Sequence, residues 1–191
     1  MKENIISANL PIGGRIGRMA KILLQRTDKK TAEKVMHGYK TFESTKNYQE
    51  KAALIRLMMD RLEKTCDHDL CLEIMEACGS KCCGISTRQQ AIRLMDESQS
   101  ILEFLKKMNK KGIGGGRLIL KDDHTITGGY NKCYCGQVKQ TEVPFPTKTY
   151  CQCSVGWYKQ LFTAAFGKEV KVELIRSIIT GAESCEFVIH L

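Results

Sequence analysis

Cysteine is the residue whose type and spacing in this chain could do chemistry. Ten occur in 191 residues, and most fall into three clusters: Cys78-Gly79-Ser80-Lys81-Cys82-Cys83, Cys133-Tyr134-Cys135 and Cys151-Gln152-Cys153, with Cys66, Cys71 and Cys185 apart. In an extended segment, residues two apart point to one face, so Cys133 and Cys135 present both sulfurs to the same side, as do Cys151 and Cys153. Two such pairs supply four thiolates. That soft donor set suits a tetrahedral Zn²⁺ site or, alternatively, an iron–sulfur cluster. Cys78 and Cys82 stand one helical turn apart and can face a common centre as further thiol ligands, whereas adjacent Cys83 must point elsewhere.

Two other fates compete for these sulfurs. Within a C-x-C in a strand the Cα atoms lie roughly 6.6 Å apart, at the upper edge of what a disulfide tolerates, so local bridges are disfavoured and bridges between clusters stay open. Cysteine is also a small buried hydrophobe, which is the reading for Cys66 and Cys71. Position singles out Cys151 and Cys153, at or just before a helix opening near Ser154. There the positive end of the macrodipole favours thiolate, so they are expected to be the most reactive sulfurs. A nucleophile paired with Glu173 or His190 is the catalytic reading of that reactivity, but the chain has no Cys/His arrangement of known spacing. Glu173 alternates with buried positions and is either solvent-exposed or a carboxylate lining a ligand cavity. Trp157 is the aromatic candidate for the same cavity, with packing against a sheet as its plain alternative. His68 and His124 fall in loops.

The elements that must position these residues divide the chain in two. From about Ile12 to Lys111 apolar residues recur at three and four, the helical spacing. Leu54, Leu57, Met58 and Leu62 form one stripe, and Ile92, Leu94, Met95, Ile101, Leu102 and Leu105 serve one longer helix. Ser86 and Gln89 offer a capping box for its start, and it should run to about Lys110. Gly112, Gly114, Gly115 and Gly116 then break the helix. Beyond them Leu118–Lys121 and Thr125–Val138 read as a hairpin turning at Asp122-Asp123-His124. Ser154–Phe166 reads as an amphipathic helix capped by Ser154 and ended by Gly167. Val170, Val172 and Leu174, then Cys185, Phe187, Ile189 and Leu191, alternate as strands of a second hairpin. The expected division is a helical region at 1–111 and an α/β part at 112–191.

Composition bounds the class. Apolar residues at 42% and charged residues at 27% are globular values and exclude a wholly disordered chain. Ten cysteines in a chain this long do not mark a small disulfide scaffold. No stretch approaches 18 apolar residues, and residues 1–14 carry no apolar block followed by a small-residue cleavage site, so a soluble cytoplasmic protein without membrane association is expected. The formal charge of +9 is concentrated at the front, where residues 1–64 hold 14 Lys+Arg against 7 Asp+Glu. Such an excess can attract nucleic acid or an acidic partner. With no stacking aromatics interleaved and no binding motif, nucleic acid is the lesser reading.

Tyr150-Cys151-Gln152-Cys153-Ser154-Val155-Gly156-Trp157-Tyr158, then Val170-Lys171-Val172-Glu173, then Gly181 and Cys185-Glu186-Phe187-Val188-Ile189, resembles the C-terminal half of the four-vinyl-reductase-like domain family. The resemblance covers roughly residues 112–191. It implies an α+β fold similar to that of transport-protein-particle subunits and nitric-oxide-sensor ligand domains, often a homodimer, enclosing a cavity for a hydrophobic small molecule. It also implies zinc held through cysteines in some members, and redox or ligand sensing in others. Cys151 and Cys185 match positions where that family places cysteines, and Glu173 matches its acidic position, whereas Ser177 stands where many relatives have another cysteine. The expected function is therefore a cysteine-rich protein binding a metal, zinc first, and a small molecule, with Cys133, Cys135, Cys151 and Cys153 as ligands and Cys78, Cys82 and Cys185 as possible additions. The alternative is an enzyme, either iron–sulfur-dependent or a thiol hydrolase acting through Cys153.

Overall fold

The two spacings, three-to-four and then two, resolve into an α+β fold in the computed structural model, which describes residues 9–191. The reading of residues 1–14 therefore lies, for its first eight positions, outside the described residues. Seven helices come first: α1 (Gly14–Arg26), α2 (Lys29–Val35), α3 (Tyr39–Ser44), α4 (Tyr48–Thr65), α5 (His68–Cys82), α6 (Ile85–Asp96) and α7 (Ile101–Lys110). A glycine-rich turn at Ile113–Gly116 leads to the hairpin β1 (Ile119–Asp122) and β2 (Thr125–Tyr130). Helix α8 (Gln152–Phe166) and the hairpin β3 (Lys171–Arg176) and β4 (Cys185–His190) complete the chain.

Short polar side chains set several helix starts by accepting from otherwise unpaired N–H groups: Asp28 for α2, Asn47 for α4, Asp67 for α5 and Ser100 for α7. The single long helix expected to run to Lys110 is two. Helix α6 ends at Asp96, and α7 restarts behind Ser100, which accepts from the Glu103 N–H while the Glu103 carboxylate accepts from the Gln99 N–H. That reciprocal cap is the one used, and Ser86 and Gln89 lie inside α6, whose N-cap is Gly84. Leu57, Ile92 and Leu102, assigned to buried stripes, face solvent, and Ile55 and Met59 take core positions instead.

The four strands form one antiparallel sheet in the order β1-β2-β4-β3. Cys185, Phe187 and Ile189 turn inward to meet α8, as their alternation predicts. Tyr158 of α8 lies 4.7 Å from the Phe187 ring and stacks on Phe162, and its hydroxyl donates to the Gly114 carbonyl at 2.9 Å. This buried aromatic column fixes the helix on the sheet and ties both to the glycine turn.

Two boundaries differ from expectation. Strand β2 stops at Tyr130 and not at Val138, because its pairing with β4 ends where Tyr130 meets Cys185 and no strand lies beyond. Helix α8 begins at Gln152, with Thr149–Cys151 already a 3-10 turn, so Ser154 sits within the helix and does not cap it.

Helices α5 and α8 cross with their backbones almost touching. A Cβ on Gly79 would lie 1.7 Å from the Cys153 carbonyl oxygen, and one on Gly156 would lie 1.9 Å from that of Glu76. Only hydrogen fits at either position. The Ser80 hydroxyl, lying within reach of both the Glu76 and Gly156 carbonyls, bridges the crossing. This contact brings the cysteine-rich end of α5 against the cysteine-rich start of α8. Among the described residues no helix is long and apolar enough to cross a membrane.

Candidate functional site

Where α1, α5, the glycine turn, the end of β2, the loop after it and the starts of α8 and β4 come together, they enclose a cavity of about 430 Å³. Seven of the ten cysteines line it: Cys78, Cys82, Cys133, Cys135, Cys151, Cys153 and Cys185. Cys66, Cys71 and Cys83 lie outside it. Cys71 is a buried thiol directed at the Leu62 carbonyl, in keeping with its reading as a small hydrophobe.

The routes by which the sulfurs arrive differ from the extended-strand argument. Cys133 and Cys135 lie past the end of β2 in an irregular segment, where the Cys135 carbonyl accepts from the Val138 and Lys139 N–H groups and opens a turn. Cys151 has helical backbone angles and Cys153 lies in the first turn of α8, so residues two apart diverge around an axis and do not share a face. Both sulfurs still reach the cavity, but they meet different neighbours.

Cys151 meets Cys185. The two sulfurs interact with each other, the Cys185 sulfur also accepts from the Ile178 N–H at 3.4 Å, and the fully buried Ser177 hydroxyl donates to Cys151 at 3.0 Å. The hydrogen bond from Cys151, with those from Ile178 and Ser177, pulls Cys185 below the ordinary thiol range, to about 6, while Cys151 holds its proton. The most acidic sulfur is thus Cys185, at the start of a strand, and not the two at the helix start. Cys151, Ser177 and Cys185 thus form one cluster of interacting side chains.

Cys153 lies within electrostatic reach of Cys135, Cys82 and Cys78. Burial first, then these neighbouring sulfurs, pushes its thiol well above the usual range. Burial likewise lifts Cys78 to about 12 and Cys133 to about 11. Two arginines of α1, a turn apart, reach the same group: Arg15 donates to the Cys135 sulfur at 3.0 Å and Arg18 to the Cys82 sulfur at 2.6 Å. The Tyr150 hydroxyl lies 3.2 Å from Cys135 and donates to Gln137. In the sequence Tyr150 has no role beyond its place within a motif, and Arg15 and Arg18 are passed over, since a basic pair on an amphipathic helix reads as a solvated face.

Trp157 lines the cavity, edge-on to Tyr158 at 5.4 Å. Glu173 does not. It lies on the outer face of the sheet with its side chain 43% exposed, between Lys171 at 2.8 Å and His190 at 3.4 Å, and Lys171 first, then His190, lowers its carboxyl below the usual range. Its strand alternation sends it opposite to Val172 and Leu174, away from α8. Neither Glu173 nor His190 reaches a cavity sulfur, which removes both as partners of a thiol nucleophile.

A single tetrahedral zinc ion draws its four sulfurs to about 3.8 Å from one another, given Zn–S bonds of about 2.3 Å. Among the described residues no three cysteine, histidine, aspartate or glutamate side chains are grouped so that they could hold one ion. All four residues of the expected set, Cys133, Cys135, Cys151 and Cys153, line the cavity, with Cys151 against Cys185 and Cys153 near Cys135.

No curated protein and no solved structure matches this chain significantly. Over residues 18–191, which span both the helical part and the sheet, the chain matches the family model described as a family of unknown function, DUF6144, and it belongs to that family.

Proposed function

We propose that this protein binds a small molecule in the cysteine-lined cavity and responds to oxidants through the thiols that line it. The observation that supports this reading is the gathering of seven of ten cysteines, from α5, the loop after β2, the start of α8 and β4, around one cavity of about 430 Å³. That volume lies within the range of small-molecule sites, and Trp157, Tyr130 and Ile113 supply apolar wall. The Cys151–Cys185 pair is the oxidant-sensitive element. A hydroperoxide takes two electrons from the Cys185 thiolate to give a sulfenic acid and an alcohol or water, and the Cys151 thiol then displaces water to form the disulfide. The resemblance to the four-vinyl-reductase-like family points the same way.

Thiol-by-thiol alkylation mapping after graded peroxide treatment tests the oxidant response. Cys151 and Cys185 are expected to be lost to alkylation together and before Cys66, Cys71 and Cys83, and equal sensitivity across all ten would overturn it. Mass spectrometry of anaerobically purified protein, native against denatured, tests for the bound molecule.

A second reading, an iron–sulfur cofactor, is favoured by the spread of Cys78, Cys82, Cys135 and Cys153 around the space. A cluster's thiolates bind different iron atoms and need not converge on one point. A brown anaerobic preparation with iron and sulfide would select it, and a colourless, zinc-containing one would select the single-ion expectation.

A further inference from the structure

The charge of the cavity wall is lopsided. Arg15 and Arg18 both enter it, and among the described residues no aspartate or glutamate lines it. Among the described residues the groups acting on Arg15 are Cys135, Tyr150, Cys82 and Cys153, none of them a carboxylate. The ion pairs of the described residues engage other side chains, such as Arg26, further along α1, with Glu73 of α5, and Lys159 with Glu76. A guanidinium carries five donors in a planar fork suited to an oxyanion, and a neutral thiol is a weak acceptor, so sulfur contacts leave most of that capacity unused. Elsewhere the wall is soft and apolar, with Trp157, Tyr130 and Met75 beside the sulfurs.

Resting on the small-molecule reading above, we propose that the ligand of this cavity is an organic anion, its oxyanion head held between Arg15 and Arg18 and its apolar body lying along Trp157 and Tyr130 toward Cys185. Arg15 and Arg18 stand three apart on one helix face, as the two arms of a clamp would, and the aromatic side chains line the same cavity.

A matched pair of fluorescent probes tests this on the full chain. 1-Anilinonaphthalene-8-sulfonate carries an aromatic body and an anionic head, and N-phenyl-1-naphthylamine has the same body with no charge. In the double variant Arg15→Gln/Arg18→Gln the sulfonate should lose about tenfold or more in affinity, as expected for lost charge-assisted hydrogen bonds, while the neutral probe stays within about twofold. Arg26→Gln, which removes an exposed arginine of the same helix outside the cavity, should change neither. If the wild type and the double variant bind both probes alike, the anion proposal falls and the small-molecule reading stands. Failure of both probes to bind the wild type removes that reading and the proposal with it. Should the double variant lose both probes, salt decides on the wild type. Raising ionic strength about tenfold weakens the sulfonate alone if the proposal holds, and leaves both unchanged if it does not.

Discussion

Cys151 and Cys185 interact across the gap between the N-cap of α8 and the first residue of β4, where the Ser177 hydroxyl donates to Cys151 and the Ile178 N–H to Cys185. One sulfur keeps its proton and the other gives it up, so two side chains of the same type are set to different tasks by three hydrogen bonds.

The first expectation is chemical. Alkylation of Cys185 by iodoacetamide should rise with an apparent midpoint near pH 6. In Cys151→Ala the largest stabiliser of the thiolate is gone, and the midpoint should move up by about one unit or more. Peptide mapping of timed alkylations across pH measures it, and an unmoved midpoint would show that Cys151 does not donate.

A second expectation follows by linkage. Cys185 titrates near 6 in the native protein and near 9.0 when unfolded, so between these values the unfolded chain binds more protons and stability rises with pH. Its contribution is complete above about pH 9 and is lost as pH falls toward 6. Urea denaturation of wild type and Cys185→Ala from about pH 6 to 8 should show a slope of stability with pH that is more positive in the wild type than in the variant, below the range where the buried thiols that keep their protons begin to weigh the other way.

The crossing of α5 and α8 supplies a third. Gly79→Ala and Gly156→Ala each drive a methyl into a carbonyl oxygen of the opposite helix, and each should destabilise the protein by about 3 kcal/mol or more. Both should also raise the alkylation rate of Cys153, since prising the helices apart opens its buried site. A variant as stable as the wild type would mean that the helices do not approach this closely.

A fourth concerns the aromatic column. Tyr158→Phe keeps the ring against Phe187 but leaves the Gly114 carbonyl without its donor, and a cost of about 1–2 kcal/mol is expected in thermal or urea unfolding.

Much of the frame was legible because local patterns and tertiary burial agree. The inward face of α8, the Gly167 stop, the turn at residues 112–116 and the alternation of Cys185, Phe187 and Ile189 all stand where the spacing put them. The cysteines that share a site were also visible as candidates, but not how they pair. Cys151 and Cys153 were assigned one face on the assumption of extended backbone, and the 3-10 turn at Thr149–Cys151 sends them to separate partners. Arg15 and Arg18 were hidden for a different reason. Residues 120 and 64 positions downstream supply their contacts, and no periodicity within α1 reports a neighbour that distant.

The cavity sits on the seam between the helices before the glycine turn and the sheet after it, with Arg15, Arg18, Cys78 and Cys82 on one bank and Cys133, Cys135, Cys153 and Cys185 on the other. A chain cut at that turn would leave each fragment with half a cup. A molecule bound in this pocket would be grasped by both banks at once, so its occupancy would work as a clasp, and its loss should loosen the seam before it melts either side.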